Sequence, residues 1–125
     1  MAETKNVSYS SIMKELRSGQ YRPVYYLMGE ESYYIDKICD YIAEHVLQPE
    51  ERDFNQTIMF GSDVNASQIV DAARRYPMMA ERQVVIVKEA QNLKNTEALE
   101  KYLKTPLSST VLVICHKNGK IDGRK

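Results

Sequence analysis

The sequence has few of the residues that build metal sites or disulfide frameworks. There are only two cysteines and two histidines in 125 residues. Cys39 and Cys115 are far apart in the chain, and neither belongs to a CxxC pair. These spacings match no disulfide framework and no zinc pattern. A free thiol in an apolar stretch packs as a small hydrophobic side chain, and we expect both cysteines to do so.

The sequence also lacks net charge and long apolar runs. Seventeen basic side chains balance seventeen acidic ones, so the formal net charge is zero. This balance excludes a strongly basic nucleic-acid-binding module and an acidic tail. No apolar run approaches the roughly 20 residues that span a bilayer, and the N-terminus has no apolar segment typical of a signal peptide. We therefore expect a cytoplasmic protein that does not contact a membrane.

What is present is the composition of one soluble globular domain. Apolar residues make up 43% and charged residues 27% of the chain. No repeat, low-complexity segment or linker divides it, so we expect residues 1–125 to form a single domain. After Cys115 the chain continues as a short charged stretch with no helix to cover the last strand. We therefore expect this domain to be part of a longer protein.

Helical and strand-like apolar patterns alternate along the chain. Helices are predicted over residues 8–18, 30–47 and 66–75, and after Asn95 or Thr96, with Asn65 as the cap of the third. Strands are predicted over residues 23–28, 54–60, 83–87 and 110–115. The last two strands are apolar throughout, which is typical of a parallel sheet covered on both faces. Right-handed crossovers then indicate a three-layer, Rossmann-like α/β fold.

The loop after the first strand decides whether such a fold binds a nucleotide, because ligands bind at the carboxyl ends of the strands. A phosphate loop has a glycine, four residues, and then Gly-Lys-Ser/Thr. Gly29 stands at the first position, but Tyr34, Ile35 and Asp36 replace the final three residues. Phosphate binding needs small residues that expose backbone N–H groups, and a lysine that neutralises the charge. The sequence therefore predicts a degenerate, non-functional phosphate loop and no bound cofactor.

No other motif supplies catalytic groups. After the third strand, Lys88 and Glu89 occupy the place where an ATPase holds a magnesium-binding Asp and a catalytic Glu. Glu89 lacks the second carboxylate that metal-assisted hydrolysis requires. There is also no Gly-x-Ser-x-Gly nucleophile motif. We therefore expect neither catalytic residues nor a metal site.

The most unusual segment precedes the third strand. It reads Arg74-Arg75-Tyr76-Pro77-Met78-Met79-Ala80-Glu81-Arg82, and we call it the methionine loop (residues 74–82). Methionine adapts to the pocket of a partner, but most methionines are buried, so the residues alone favour core packing over partner contact. Adjacent side chains on a turn cannot both point into a core. We therefore expect at least one of the two methionines to be exposed.

Several stretches, taken in order, resemble one protein family. They are Pro-Val-Tyr-Tyr-Leu-Met-Gly-Glu-Glu at 23–31, Asp-Phe-Asn at 53–55 and Pro-Met-Met-Ala-Glu-Arg-Gln-Val-Val-Ile-Val at 77–87, and Thr-Val-Leu-Val at 110–113 with Lys117 fits as well. This set is similar to the N-terminal domain of the delta subunit of the bacterial DNA polymerase III clamp loader, over residues 21–125. The resemblance implies an AAA+-like fold with strand order 5-1-4-3-2, whose nucleotide motifs have decayed.

The resemblance also implies a function in DNA replication, as a non-catalytic subunit of a nucleotidyltransferase complex. In this family two adjacent apolar residues enter a pocket on the sliding clamp, a role that falls here on Met78 and Met79. The neighbouring charged residues of the loop, Arg74, Arg75, Glu81 and Arg82, independently predict a charged rim around that contact, with the three arginines as clamp-binding residues. The implied partners are the clamp, other loader subunits through C-terminal domains beyond this sequence, and DNA only within the loader. Two alternatives stay open: a divergent P-loop nucleotide hydrolase, and a Rossmann-like interaction module with no clamp partner.

Overall fold

The structure, a computed structural model, describes residues 9–28 and 32–116. Its elements are, in chain order, α1 (Tyr9–Arg17), β1 (Val24–Met28), α2 (Ser32–His45), α3 (Pro49–Asn55), β2 (Gln56–Phe60), α4 (Ala66–Ala73), β3 (Gln83–Lys88), a 3₁₀ helix (Ala90–Asn92), α5 (Glu97–Lys104) and β4 (Thr110–His116). All four predicted helices and all four predicted strands are present, with small shifts of their bounds. None of the helices in the described ranges is long and apolar enough to cross a membrane.

The four described strands form one parallel sheet with the order β1-β4-β3-β2. Val24 of β1 lies opposite Leu112 of β4, and Val111 of β4 lies opposite Val84 of β3. Strand β2 is an outer strand of this sheet, and its residue Gln56 is the partner of Val84 on β3. The order of these four strands is the one that the resemblance implies. Because every pair is parallel, the strands all begin at one edge of the sheet and end at the other.

Helices cover both faces of the central strands, which confirms the three-layer α/β class. Along β3 successive side chains point to opposite faces, so Val84 and Ile86 belong to one apolar cluster and Val85 and Val87 to the other. Helices α1 and α2 complete the first cluster, and α4 and α5 complete the second. This double burial explains why β3 and β4 are apolar at consecutive positions.

Helix α3 is the one α-helix that the sequence pattern missed. Residues 54 and 55 were predicted to begin a strand, and this is wrong, because they form the last turn of α3 and β2 begins at Gln56. Pro49 occupies the start of the helix, and the backbone N–H of Gln48 donates to Glu51 Oε1 at 3.0 Å. Proline at the first turn and acidic residues after it are signals of a helix start that the sequence does contain.

The predicted cap of α4 is confirmed. Asn65 Oδ1 accepts a hydrogen bond from the Gln68 backbone N–H at 2.9 Å, and Gln68 Oε1 accepts one from the Asn65 N–H at 2.9 Å. These reciprocal bonds form a capping box that satisfies two donors at the helix start. Helix α5 begins one residue after Thr96, its N-cap.

Both cysteines are free and buried, as expected, and they lie in the same apolar cluster. Cys39 is on α2 and Cys115 is on β4. A hydrogen bond with the Cys115 thiol lowers the pKa of the Cys39 thiol, although burial acts in the opposite direction. This contact could not be predicted from the sequence, because it depends on how α2 packs on the sheet.

Candidate protein-binding site at the methionine loop

The methionine loop lies at the edge of the sheet where the strands begin. It joins the end of α4 to the start of β3. Tyr34, Ile35 and Asp36 lie at the start of α2, which follows β1, and therefore near the opposite edge of the sheet, where the strands end. Asn55 directly precedes β2, the neighbour of β3, so the parallel pairing brings Asn55 close to the loop.

Both methionines are exposed. Met78 is 58% exposed and Met79 is 98% exposed, the highest value among the large apolar side chains that the structure describes. The alternative in which they pack in the core is therefore wrong. Tyr76 in the same loop and Phe54 at the end of α3 are also exposed. Adjacent exposed apolar side chains, such as Met78 and Met79, are typical of a surface that contacts another protein.

The backbone of Met78 is held by a buried asparagine. Asn55 is only 2% exposed. Its Nδ2 donates to the Met78 carbonyl at 2.9 Å, and its Oδ1 accepts from the Met78 N–H at 2.6 Å. A third bond joins Asn55 Nδ2 to the Glu51 carbonyl at 3.1 Å, so both amide atoms have partners. The side chain of Asn55 thus ties the middle of the loop to the end of α3.

Met79 has a left-handed backbone, with a φ of 57°. Only Glu89 and Asn95 share this feature among the other non-glycine residues in the described ranges. For an L-residue such as methionine this conformation is disfavoured by roughly 1–2 kcal/mol. Residues in this conformation persist where the surrounding structure holds them, and they are enriched at binding sites.

Two further buried polar side chains hold the end of α4. Gln83 Nε2 donates to the carbonyls of Ala72 at 2.9 Å and Arg75 at 2.7 Å. Thr110 Oγ1 donates to the carbonyl of Ala73 at 2.6 Å. These bonds give side-chain partners to backbone carbonyls at the end of α4 and just after it. Asn55, Gln83 and Thr110 are the buried polar residues of the described part of the chain, and all three bond to the methionine loop or to the helix end that enters it.

The three arginines predicted to form a rim belong to the methionine loop and differ in exposure and contacts. Arg74 and Arg75 are exposed, and Arg82 is half-buried. The Arg82 guanidinium lies 5.1 Å from the centre of the Tyr21 ring, and that of Arg74 lies 5.9 Å from the centre of the Tyr102 ring. Both distances allow a cation–π contact. Two of the positive charges are therefore held against the body of the protein beside the loop.

The predicted phosphate-loop residues lie apart from this surface. Gly29 is outside the described residues. Ile35 is buried in the apolar cluster at the start of α2, while Asp36 is exposed. The centre of the Tyr34 ring lies 4.7 Å from the centre of the Tyr9 ring. An isoleucine buried at the place of the phosphate-binding lysine offers no charge to a nucleotide, which is consistent with a degenerate loop.

At the end of β3, Glu89 is exposed. Across residues 9–28 and 32–116, no three His, Cys, Asp or Glu side chains lie close enough together to hold a metal ion.

Comparison with known proteins agrees with this geometry. The family model described as DNA polymerase III, delta subunit, matches residues 25–125, which include the whole methionine loop and all of the sheet except Val24. The chain belongs to this family. It is 32% identical over 124 residues to DNA polymerase III subunit delta of Bacillus subtilis, a match that covers 91% of this chain and 36% of that protein.

Solved structures support the same assignment. The Bacillus subtilis DNA clamp loader delta protein superimposes with a TM-score of 0.84 at 30% identity, over 94% of this chain and 38% of that one. A DNA polymerase III gamma-subunit-related protein from Thermotoga maritima superimposes with a TM-score of 0.60 at 19% identity, over 85% of this chain and 39% of that one, which shows a shared fold. This delta-family chain thus spans somewhat more than a third of the length of the proteins it matches, and its relatives are proteins of DNA replication.

Sequence reasoning found the two methionines of this delta-family chain but missed the residue that holds them. The stretch Asp53-Phe54-Asn55 contributed to the resemblance, and residues 54 and 55 were placed at the start of a strand, with no contact to the methionine loop predicted for Asn55. Polar residues are common near the ends of helices, so nothing in the sequence around Asn55 indicated a hydrogen bond to Met78, 23 positions away.

We expect this delta-family chain not to bind ATP–Mg²⁺. The positions that should supply a glycine, a lysine and a hydroxyl carry Tyr34, Ile35 and Asp36, and Ile35 is buried. Isothermal titration calorimetry with ATP and Mg²⁺ measures this directly. Saturable binding at micromolar concentration would contradict the prediction and revive the nucleotide-hydrolase alternative.

Proposed function

We propose that residues 1–125 are the AAA+-like N-terminal domain of a clamp-loader delta subunit, and that the methionine loop is its contact with the sliding clamp. The observation that carries this proposal is the exposure of Met78 and Met79 on a loop whose backbone is already held in place. Arg74, Arg75 and Arg82 form the charged rim of the contact. An apolar centre with a charged rim is the usual anatomy of a protein-binding hot spot.

The energy of this contact comes from apolar burial. Transfer of each methionine side chain from water into a pocket contributes roughly 1.5–3 kcal/mol. To open the ring, the methionine loop must bind the open form of the clamp more tightly than the closed form, because a ligand shifts an equilibrium only by its differential affinity. No ATP is consumed by this subunit in that step, and the subunit is not itself catalytic.

The other partners follow from the place of such a subunit in a loader. We propose that the remaining loader subunits bind through parts of the protein outside this sequence. Contact with DNA belongs to the assembled complex, since the net charge of zero gives this domain no general attraction for phosphates. The protein acts in the cytoplasm, without a membrane partner.

Surface plasmon resonance with an immobilised bacterial sliding clamp tests this proposal. The clamp of Bacillus subtilis is a concrete choice, because a relative of this chain comes from that organism. Saturable binding of the chain is the expected result. Absence of binding would instead favour an interaction module with a different partner.

Met79→Gly is expected to raise the stability of the chain and weaken clamp binding at the same time. Glycine adopts a positive φ at little cost, so relief of the left-handed backbone should increase the free energy of unfolding by about 0.5–1 kcal/mol. The clamp contact loses the Met79 side chain, so its affinity should fall. Met78→Gly is the matched control, because Met78 has no positive φ and gains nothing in stability. A loss of stability in Met79→Gly, measured by urea unfolding, would contradict this prediction.

A further inference from the structure

We infer that Asn55 is a positioning residue for the clamp contact: it holds the Met78 backbone so that both methionines are presented before the clamp binds. This inference rests on the proposed binding of the clamp by the methionine loop. Asn55 is the last residue of α3 and lies 23 positions before Met78, so the inference assigns a role in clamp binding to a residue outside the methionine loop.

The geometry of the two bonds supports this role. The Asn55 amide pairs with the N–H and the C=O of one residue, Met78, at 2.6 and 2.9 Å. Two bonds to the same residue fix both the position and the direction of its backbone, as pairing with a strand would. The third bond, to the Glu51 carbonyl at 3.1 Å, fixes the amide itself on α3.

The anchor is attached to a rigid part of the fold. Asn55 directly precedes β2, whose first residue, Gln56, is the sheet partner of Val84 on β3. The methionine loop leads into β3, so its middle and its end are tied to two paired strands. Gln83 and Thr110 hold the helix end that enters the loop. Asn55 holds its middle.

The loop needs such an anchor because its apolar side chains contribute little to its own folding. Met79 is 98% exposed and has the disfavoured left-handed backbone, so neither packing nor local preference holds it in place. If the anchor were lost, the loop would populate other conformations. The apparent affinity would then fall in proportion to the fraction of molecules that present the methionines correctly.

Clamp binding by variants of the chain tests the inference, with the immobilised Bacillus subtilis clamp as the probe. Asn55→Ala is expected to lower the affinity by roughly tenfold to a hundredfold. This is the change in affinity expected if the clamp must fix the backbone of one or two loop residues that Asn55 otherwise holds. Asn65→Ala is the matched control. It removes an asparagine that also bonds to a backbone N–H, but in the capping box at the start of α4, away from the loop. We expect its clamp affinity to equal that of the unmodified chain.

Two readouts separate positioning from a general loss of stability. Amide hydrogen exchange at Met78 should accelerate in Asn55→Ala and not in Asn65→Ala, because the Met78 N–H loses its acceptor only in the first. In the Met78→Ala/Met79→Ala background, Asn55→Ala should cause little further loss of affinity, because both of the side chains that it positions are gone. An unchanged fold-loss, or an equal loss in Asn65→Ala, would overturn the positioning role.

A further variant covers the case in which Asn55→Ala does not fold. Asn55→Asp keeps the acceptor for the Met78 N–H but, as a carboxylate, cannot donate to the Met78 carbonyl. Its buried carboxylate would also face the carbonyl oxygens of Met78 and Glu51, so it should bind the clamp more weakly than the unmodified chain, and full affinity would overturn the inference. The proposed function fails by a different result: clamp binding that is absent, or that is unchanged in Met78→Ala/Met79→Ala.

Discussion

Met78→Ala/Met79→Ala is expected to weaken clamp binding by about two to four powers of ten. The two side chains contribute roughly 1.5–3 kcal/mol each by burial in the clamp, and each 1.4 kcal/mol corresponds to about a tenfold change in affinity. The melting temperature of the chain should stay the same, because the lost contacts belong to the partner and Met79 is almost fully exposed. Surface plasmon resonance measures the affinity, and calorimetry measures the melting temperature.

Met13→Ala is the matched control for this experiment. Met13 lies on α1, is buried, and packs in the apolar cluster far from the methionine loop in sequence. Its truncation leaves a cavity and should cost about 2–5 kcal/mol of stability with little effect on clamp affinity of the folded protein. If the double variant instead lost stability as Met13→Ala does, and kept its clamp affinity, the methionines would not be the contact surface.

Gly61→Ala is expected to destabilise the fold by about 3 kcal/mol, near the upper end of the range for overpacking. Gly61 follows β2, and its N–H donates to the Lys88 carbonyl at 2.7 Å. A Cβ at this position would lie closer than 3.0 Å to the carbonyl oxygen of Glu89, a separation that real Cβ atoms essentially never show. The obstacle is backbone and not a flexible side chain, so relief requires the ends of β2 and β3 to move apart.

Gly19→Ala separates this steric effect from the conformational freedom of glycine. Gly19 has a φ of 86°, but nothing lies within 4 Å of a Cβ built there. Its replacement should therefore cost only the strain of a positive φ, about 1 kcal/mol. Urea unfolding of both variants measures the difference. If the two variants lost the same free energy of unfolding, the steric effect of a Cβ against the Glu89 carbonyl would be absent, which would contradict the prediction for Gly61→Ala.

The fold class followed from local sequence patterns. The apolar runs of β3 and β4 are buried on both faces, and the 3.6-residue stripe of α2 faces the sheet, because each pattern records the surroundings of its own residues. The Asn65 cap was equally visible, since its partner Gln68 is three residues away. Helix α3 was missed because its seven residues are mostly polar and carry no apolar stripe, so its signals lie in its first turn alone.

The candidate site was only half visible in the sequence. Two methionines after a proline on a segment between a helix and a strand already required at least one exposed apolar side chain, because adjacent residues on a turn cannot share one face. The resemblance to a known family then indicated the clamp as their partner. The sequence by itself thus determined that the methionine loop exposes an apolar side chain, and it determined the layers of helices and sheet on which the loop is built.

Only the tertiary structure decided how that surface is held. The bonds from Asn55 to Met78 depend on the order of strands in the sheet, which brings the start of β2 beside the start of β3. The physical reason is range: periodicity and caps involve residues within about four positions of each other. A hydrogen bond across 23 positions requires β2 and β3 to lie side by side, and no local preference of asparagine or methionine predicts it.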